Sequence, residues 1–289
     1  MSNTDTKGLR DKETGIEERP DCGASVSLPE LCIVGAHGKM GRMFSERLGR
    51  ASCRVYGVDR KEGADGVLAL DGAELDQALA QTQFVMLCVP VKVLREVLAF
   101  VAPRLDPARH VLMDICSVKS LPMRWMEEFY PSRVVGAHPL FGPTPEAVDM
   151  RVALVRGSRA DTEACAKAEA LFKSLGCATF WTSATEHDAG VGIAQSLNFA
   201  VSAAFFCALA RREGIKPFLT PSFKRHLEAA RKHLTVDTAM FCEFTALNPE
   251  FPKALADYQK VLGEIAAGQM KEVAAAARVW YEENSPVKN

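Results

Sequence analysis

Two short stretches of this chain carry side chains suited to proton transfer. Residues 134–143 read VVGAHPLFGP and set a histidine, His138, between a small-residue turn and a proline, with Gly142-Pro143 closing the segment. Residues 114–120 read DICSVKS and offer a hydroxyl, Ser117. An imidazole titrates near neutrality, so it can accept the proton of a substrate hydroxyl while hydride leaves the adjacent carbon. A serine close to that ring can fix its tautomer and bridge to substrate. The flanking prolines rigidify a segment that solvent exposure alone would not require. The competing reading is a loop histidine satisfied by backbone groups. A third stretch, GAHGKMG at 35–41, spaces Gly35, Gly38 and Gly41 so that the backbone can turn tightly, approach a pyrophosphate and pack helix on strand.

The elements that must position these groups are legible as an alternation. Short apolar runs at 31–36 (LCIVGA), 54–59 (RVYGVD), 84–90 (FVMLCVP), 110–117 (HVLMDICS), 133–139 (RVVGAHP) and 152–157 (VALVRG) read as strands. Helix-like stretches such as 74–81 and 91–105 lie between them. Strands that are apolar throughout indicate a parallel sheet covered on both faces, the doubly wound α/β pattern. In such a sheet Ser117 and His138 both lie at the carboxyl edge, where ligands bind. Beyond about residue 186 the pattern becomes helical, with an apolar segment at 191–210 and amphipathic helices over 251–283. Ile193, Leu197, Val201, Phe205 and Leu209 fall on one stripe, as in a helix buried in a large interface. The expected organisation is a flexible leader at 1–28, a dinucleotide-binding domain at 29–185 and a helical substrate and dimerisation domain at 186–289.

A dinucleotide follows from three pieces taken together. The loop Gly35, Ala36, His37, Gly38, Lys39, Met40 and Gly41 precedes a helix whose free N–H groups suit phosphate. Asp59 ends the second strand, where a carboxylate bonds ribose hydroxyls and repels a 2′-phosphate, favouring NAD. Arg60 and Lys61 beside it keep NADP admissible. Cys88, Val89 and Pro90 end the next strand at the edge where a dinucleotide would lie.

Composition narrows the partners. A formal charge of −1 over 289 residues gives no reason to expect nucleic acid or a membrane surface. No apolar run approaches the roughly 18 residues of a membrane span, and the polar N-terminus has no signal-peptide core. Nine cysteines, scattered without a CxxC pair, argue against a disulfide framework and a metal site and fit a reducing cytoplasm.

On these residues the chain resembles the prephenate dehydrogenase family. The likeness is carried by IVGAHGKMG, CVPV, DICSVKS, VVGAHPLFGP and EHDAGVGIAQSLNFA, and runs from about residue 30 to the C-terminus. It implies a Rossmann-type domain joined to a helical dimerisation domain, and oxidative decarboxylation of prephenate to 4-hydroxyphenylpyruvate with NAD or NADP. It also implies that His138 accepts a hydrogen bond at the C4 hydroxyl, with Ser117 as its partner, and that the protein is a homodimer through its C-terminal helices. The chain departs from the family in two places. Asn198 or Phe199 stands where many members carry a histidine, leaving Gln195, Asn198 and Phe199 as substrate-side candidates. The expected carboxylate-binding arginine is matched by Lys224 or Arg225 in TPSFKR, or by Thr235 in another register. Arg231, Lys232 and His233 could also serve as the carboxylate-binding cations, although the run 225–233 reads rather as a solvated helix face, and Glu186, His187 and Asp188 read as caps of the helix they open. The stretch before residue 30 is too short for a helical mutase domain, and no βαββαβ regulatory module follows, so tyrosine sensitivity is expected at the active site alone. The altered pocket keeps 4-amino-4-deoxyprephenate and arogenate open as substrates, and a non-catalytic dinucleotide sensor as the reading of another class.

Overall fold

The computed structural model describes residues 28–61 and 66–284; all but the last residue of the leader lies outside them. Its strands are β1 (Leu31–Val34), β2 (Val55–Asp59), β3 (Leu68–Ala69), β4 (Phe84–Leu87), β5 (Val111–Asp114), β6 (Val134–Pro139), β7 (Arg151–Arg156) and β8 (Ala178–Thr182). The helices are α1 (Lys39–Arg50), α2 (Gly72–Ala80), α3 (Val91–Val101), α4 (Ser120–Phe129), α5 (Thr162–Lys173), α6 (Ala184–Val191), α7 (Asn198–Ala210), α8 (Pro221–Arg231), α9 (Thr238–Leu247), α10 (Phe251–Ala266) and α11 (Met270–Asn284).

The strands form one sheet in the order β3-β2-β1-β4-β5-β6-β7-β8. Every pair is parallel except β6 with β7. The link from β6 to β7 covers 140–150 and holds Pro143 and Pro145, so it has no room for a crossover helix and the chain turns back. Two strands, β3 and β8, are additions to those expected from the sequence.

Each inner strand is apolar throughout because it feeds two cores. Cys32 and Val34 of β1 face the core built with Leu75, Leu79, Leu94, Leu98, Met123 and Met126 of α2, α3 and α4. Leu31 and Ile33 face the other, built with Phe44 and Leu48 of α1 and Leu171 and Phe172 of α5. The sheet is therefore doubly wound, and the strand order reverses at β1 and β4, where the loops after both strands open a cleft on the carboxyl edge.

From α6 onward the described chain is helical. A π-helical segment, Gly192–Leu197, joins α6 to α7 into one continuous run. This corrects the expectation about length: Ala184–Ala210, 27 residues, is long and apolar enough to cross a membrane by length and composition. Its apolar face is open rather than buried within the chain, with Ile193 61% and Phe205 41% exposed. The base of this run is pinned to the sheet half. Asn248, after α9, is buried and donates to the Asp188 carbonyl at 2.9 Å, and Phe244 of α9 enters the core over α3 and α4.

Candidate active site

The glycine loop is shaped by close backbone approach. Gly35 has φ +91°, and a Cβ there would lie 2.5 Å from the Cys88 carbonyl oxygen. Side-chain residues rarely adopt that conformation, and the space is already filled. A Cβ on Gly41 would collide with the Gly35 carbonyl, so α1 starts directly against the loop. Gly38 caps α1 with no side-chain acceptor, leaving the first N–H groups of the helix available to an anion. Asp59 ties the loop to β2: its Oδ2 accepts from the His37 N–H at 2.9 Å and its Oδ1 from the Arg60 N–H at 2.7 Å. Each carboxylate oxygen keeps a second lone pair for a ribose hydroxyl. Cys88, Val89 and Pro90 form the opposing lip, with the Cys88 N–H bonded to the Val34 carbonyl at 2.8 Å. The glycine loop, the open N-terminus of α1 and the Cys88–Pro90 lip thus lie against one another at the carboxyl edge of the sheet.

His138 lies next to last in β6, buried with 4% of its surface exposed. Its Nδ1 is 2.9 Å from Nε2 of His187 on α6, forty-nine residues along the chain. His187 Nδ1 in turn is 2.8 Å from Asp188 Oδ1. The Asp188 carboxylate accepts backbone N–H bonds from Lys119 at 2.7 Å and Ser120 at 2.8 Å, at the start of α4. Lys119, fully buried, donates from Nζ to both oxygens of Asp114 at 2.8 and 2.6 Å and to the Ala137 carbonyl at 2.6 Å. Four segments, the ends of β5 and β6, the start of α4 and the middle of α6, are thereby joined around one imidazole.

The electrostatics keep that imidazole neutral. Burial, then the neighbouring His187 and Lys119, pulls the His138 pKa well below the ordinary histidine value. Burial also lowers His187, and Asp188 partly offsets this. For Asp188 burial works upward, but hydrogen bonds from His187, Ser120 and Lys119 prevail and hold its carboxyl below the usual range. At the end of the chain Asp188–His187–His138, burial and the neighbouring groups therefore favour the neutral form of His138.

The other sequence candidates are distributed around this centre. Ser117 lies half-buried in the loop after β5, the strand next to β6; the side chain hydrogen-bonded to His138 is His187. Gln195 is half-buried in the π-helical segment, Asn198 is exposed, and Phe199 is buried between His233, at 6.2 Å between ring centroids, and Phe241, at 5.3 Å. Lys224 and Arg225 sit on the exposed face of α8, where Arg225 bonds Ser222. At the far end of the VVGAHPLFGP stretch a cation lies close to Gly142: a Cβ there would be 3.4 Å from Lys232 Nζ.

Sequence reasoning missed His187, Asp188, Lys119 and Asp114. Of the three residues read as caps, Glu186 is one, forming a capping box with Ser183, while His187 and Asp188 point into the sheet half. The available signal was the pairing of a charged lysine with an aspartate five residues earlier in an otherwise apolar strand end.

Comparison with known proteins agrees with this architecture. The family model described as "Prephenate dehydrogenase, nucleotide-binding domain" matches residues 47–178. The T-protein of Enterobacter agglomerans is 24% identical over 254 residues, covering 86% of this chain and 65% of that protein. A 4-amino-4-deoxyprephenate dehydrogenase of Streptomyces pristinaespiralis is 36% identical over 121 residues, 39% of this chain and 40% of that one. The chain therefore spans two thirds or less of the length of these curated relatives. Among solved structures, prephenate dehydrogenase from A. aeolicus, in complex with hydroxyphenyl propionate and NAD+, superposes with a TM-score of 0.75 at 20% identity, over 92% of this chain and all of that one. The sheet order, the glycine loop and the matched segment agree: over residues 47–178 the chain is similar to the nucleotide-binding domain of prephenate dehydrogenases, and its fold is that of the solved prephenate dehydrogenase structure.

Proposed function

We propose that this protein catalyses the oxidative decarboxylation of a prephenate-type cyclohexadienyl dicarboxylate, with NAD+ as hydride acceptor and NADP+ as the less favoured alternative. The observation that carries the proposal is the placement of a buried His138 on the same sheet edge as the Gly35–Gly41 loop. When bound, the nicotinamide supplies the oxidising power. The chain's own part is to orient the ring and hold one proton. His138 accepts the proton of the C4 hydroxyl as hydride departs from C4. Carbon dioxide then leaves C1, and the ring becomes aromatic, which supplies the driving force without a metal or a covalent enzyme intermediate. Ser117 lies within the same loop cluster and is assigned to the C4 substituent. Asp59 is assigned to the adenosine ribose. Lys232, beside Gly142, is the cation proposed for a substrate carboxylate, with Lys224 and Arg225 as further candidates and Gln195, Asn198 and Phe199 along the helical wall.

Buried Phe199 offers no hydrogen bond to a substrate, which favours testing the 4-amino substrate and arogenate beside prephenate. The exposed apolar face of α6 to α11, including Ile193, Phe205 and Trp280, supports pairing with a second copy of the chain. The composition fits a cytoplasmic setting.

The test is NADH formation with each of the three substrates, by the intact protein and by His138→Asn. The proposal expects turnover of at least one substrate and a loss of about 10²–10⁴-fold in the variant, with dinucleotide affinity unchanged. Dinucleotide binding without oxidation of any of the three would favour the sensor reading.

A further inference from the structure

We infer that His187 and Asp188 are a positioning relay that keeps a proton on Nδ1 of His138 and so presents its Nε2 as the acceptor for substrate. This rests on the reading of His138 as the proton-accepting group. The hydrogen positions are fixed from the far end of the chain of hydrogen bonds. The backbone N–H groups of Lys119 and Ser120 can only donate, so Asp188 is oriented as an acceptor. Its Oδ1, 2.8 Å from His187 Nδ1, requires the hydrogen on that nitrogen. A neutral imidazole protonated at Nδ1 has a lone pair at Nε2. The hydrogen in the 2.9 Å contact between His187 Nε2 and His138 Nδ1 must therefore come from His138. One nitrogen of His138 is left, Nε2, and it carries a lone pair. In water the opposite tautomer is preferred, so the relay does work that the isolated side chain would not.

The same chain accommodates the charge that develops. As the C4–H bond breaks, its electron pair passes to the bound dinucleotide and the hydroxyl proton passes to His138 Nε2. The Nδ1 proton can then shift to His187 Nε2, which places the positive charge beside Asp188. When the C1–carboxylate bond breaks, its electron pair enters the ring and reaches the oxygen on C4. That oxygen takes its proton back, the relay returns to its starting state and no net proton is released. The groups facing the two rings are Lys119 at the start of α4, Asp114 at the end of β5 and Asp188 on α6. Lys119 is paired with Asp114, and its backbone N–H orients Asp188 as the acceptor at the far end of the relay.

The test combines nitrogen NMR of the full chain, carrying ring-labelled histidine, with steady-state kinetics of two variants. His138 signals are assigned by their loss in His138→Asn. Wild type should show His138 protonated at Nδ1 and bare at Nε2. His187→Phe removes the acceptor: the tautomer should reverse or mix, and kcat should fall about 10²-fold or more while KM and dinucleotide affinity hold. His187→Gln, whose amide oxygen can stand near the lost Nε2, should restore the tautomer and most of kcat. A wild-type His138 protonated at Nε2 would overturn the inference. So would equal losses in folded Phe and Gln variants, which would mean a structural role only. If the Phe variant fails to fold, the wild-type spectrum and the Gln variant decide. An Nδ1-protonated ring in a protein that oxidises none of the substrates would support the relay and count against the proposed reaction.

Discussion

The two halves of this chain treat their apolar residues in opposite ways. In the sheet half, Phe44, Leu94, Leu98 and Phe172 are fully buried, and both faces of the sheet are covered by helices of the same chain. In the helical half, Ile193, Phe205, Met240, Val279 and Trp280 are all more than 40% exposed. One half is closed on itself, and the other presents a surface still to be covered. The site belongs to both: β5 and β6 end in it from one side, and α6 enters it from the other through His187 and Asp188. The enclosed part holds His138, and the less enclosed part supplies its hydrogen-bonded partner.

That contrast can be broken at several points. The largest effect is expected at the seam itself. Lys119→Met would leave Asp114 buried without its cation, and breaking such a pair costs about 3–5 kcal/mol. Chemical denaturation should show that loss, whereas substitution of an exposed pair such as Arg95–Glu128 should leave the midpoint nearly unmoved, within about 1 kcal/mol. Gly35→Ala comes next. It forces a side chain into a left-handed conformation against the Cys88 carbonyl, at about 1–3 kcal/mol, and should weaken dinucleotide binding together with stability. Smaller in energy, but more telling about the helical half, is Phe205→Asp. With two copies paired through this face, as proposed, sedimentation should show a shift from dimer to monomer with little change in dinucleotide affinity. An unchanged assembly would mean that the open helix face is covered by something else.

Much of the sheet half was legible because its physics is local. Runs such as FVML and VLMD are apolar on both sides, which marks inner parallel strands, and the spacing of Gly35, Gly38 and Gly41 states its own geometry. The strand β8, ATFWT, escaped notice because it is an exposed edge with polar residues interleaved. The reversal at β7 was implicit in a connector too short for a helix. The relay was hidden for a different reason. Ser183-Ala-Thr-Glu186 is a sound capping signal, and it made the two residues after it look like part of the cap. Nothing local distinguishes a capping aspartate from one that orients a histidine bonded to another forty-nine residues away. Likewise, a lysine in DICSVKS gives no sign by itself that it will be wholly buried, since lysine almost never is unless paired.

The most direct check is a crystal structure of this chain with NAD+ and hydroxyphenyl propionate. The account predicts the phenol oxygen about 2.6–3.2 Å from His138 Nε2, the ring facing the nicotinamide, and His187 still bonded to Nδ1 on the other side. A phenol bound away from His138, or a His138 ring whose Nε2 faces His187 instead, would contradict it.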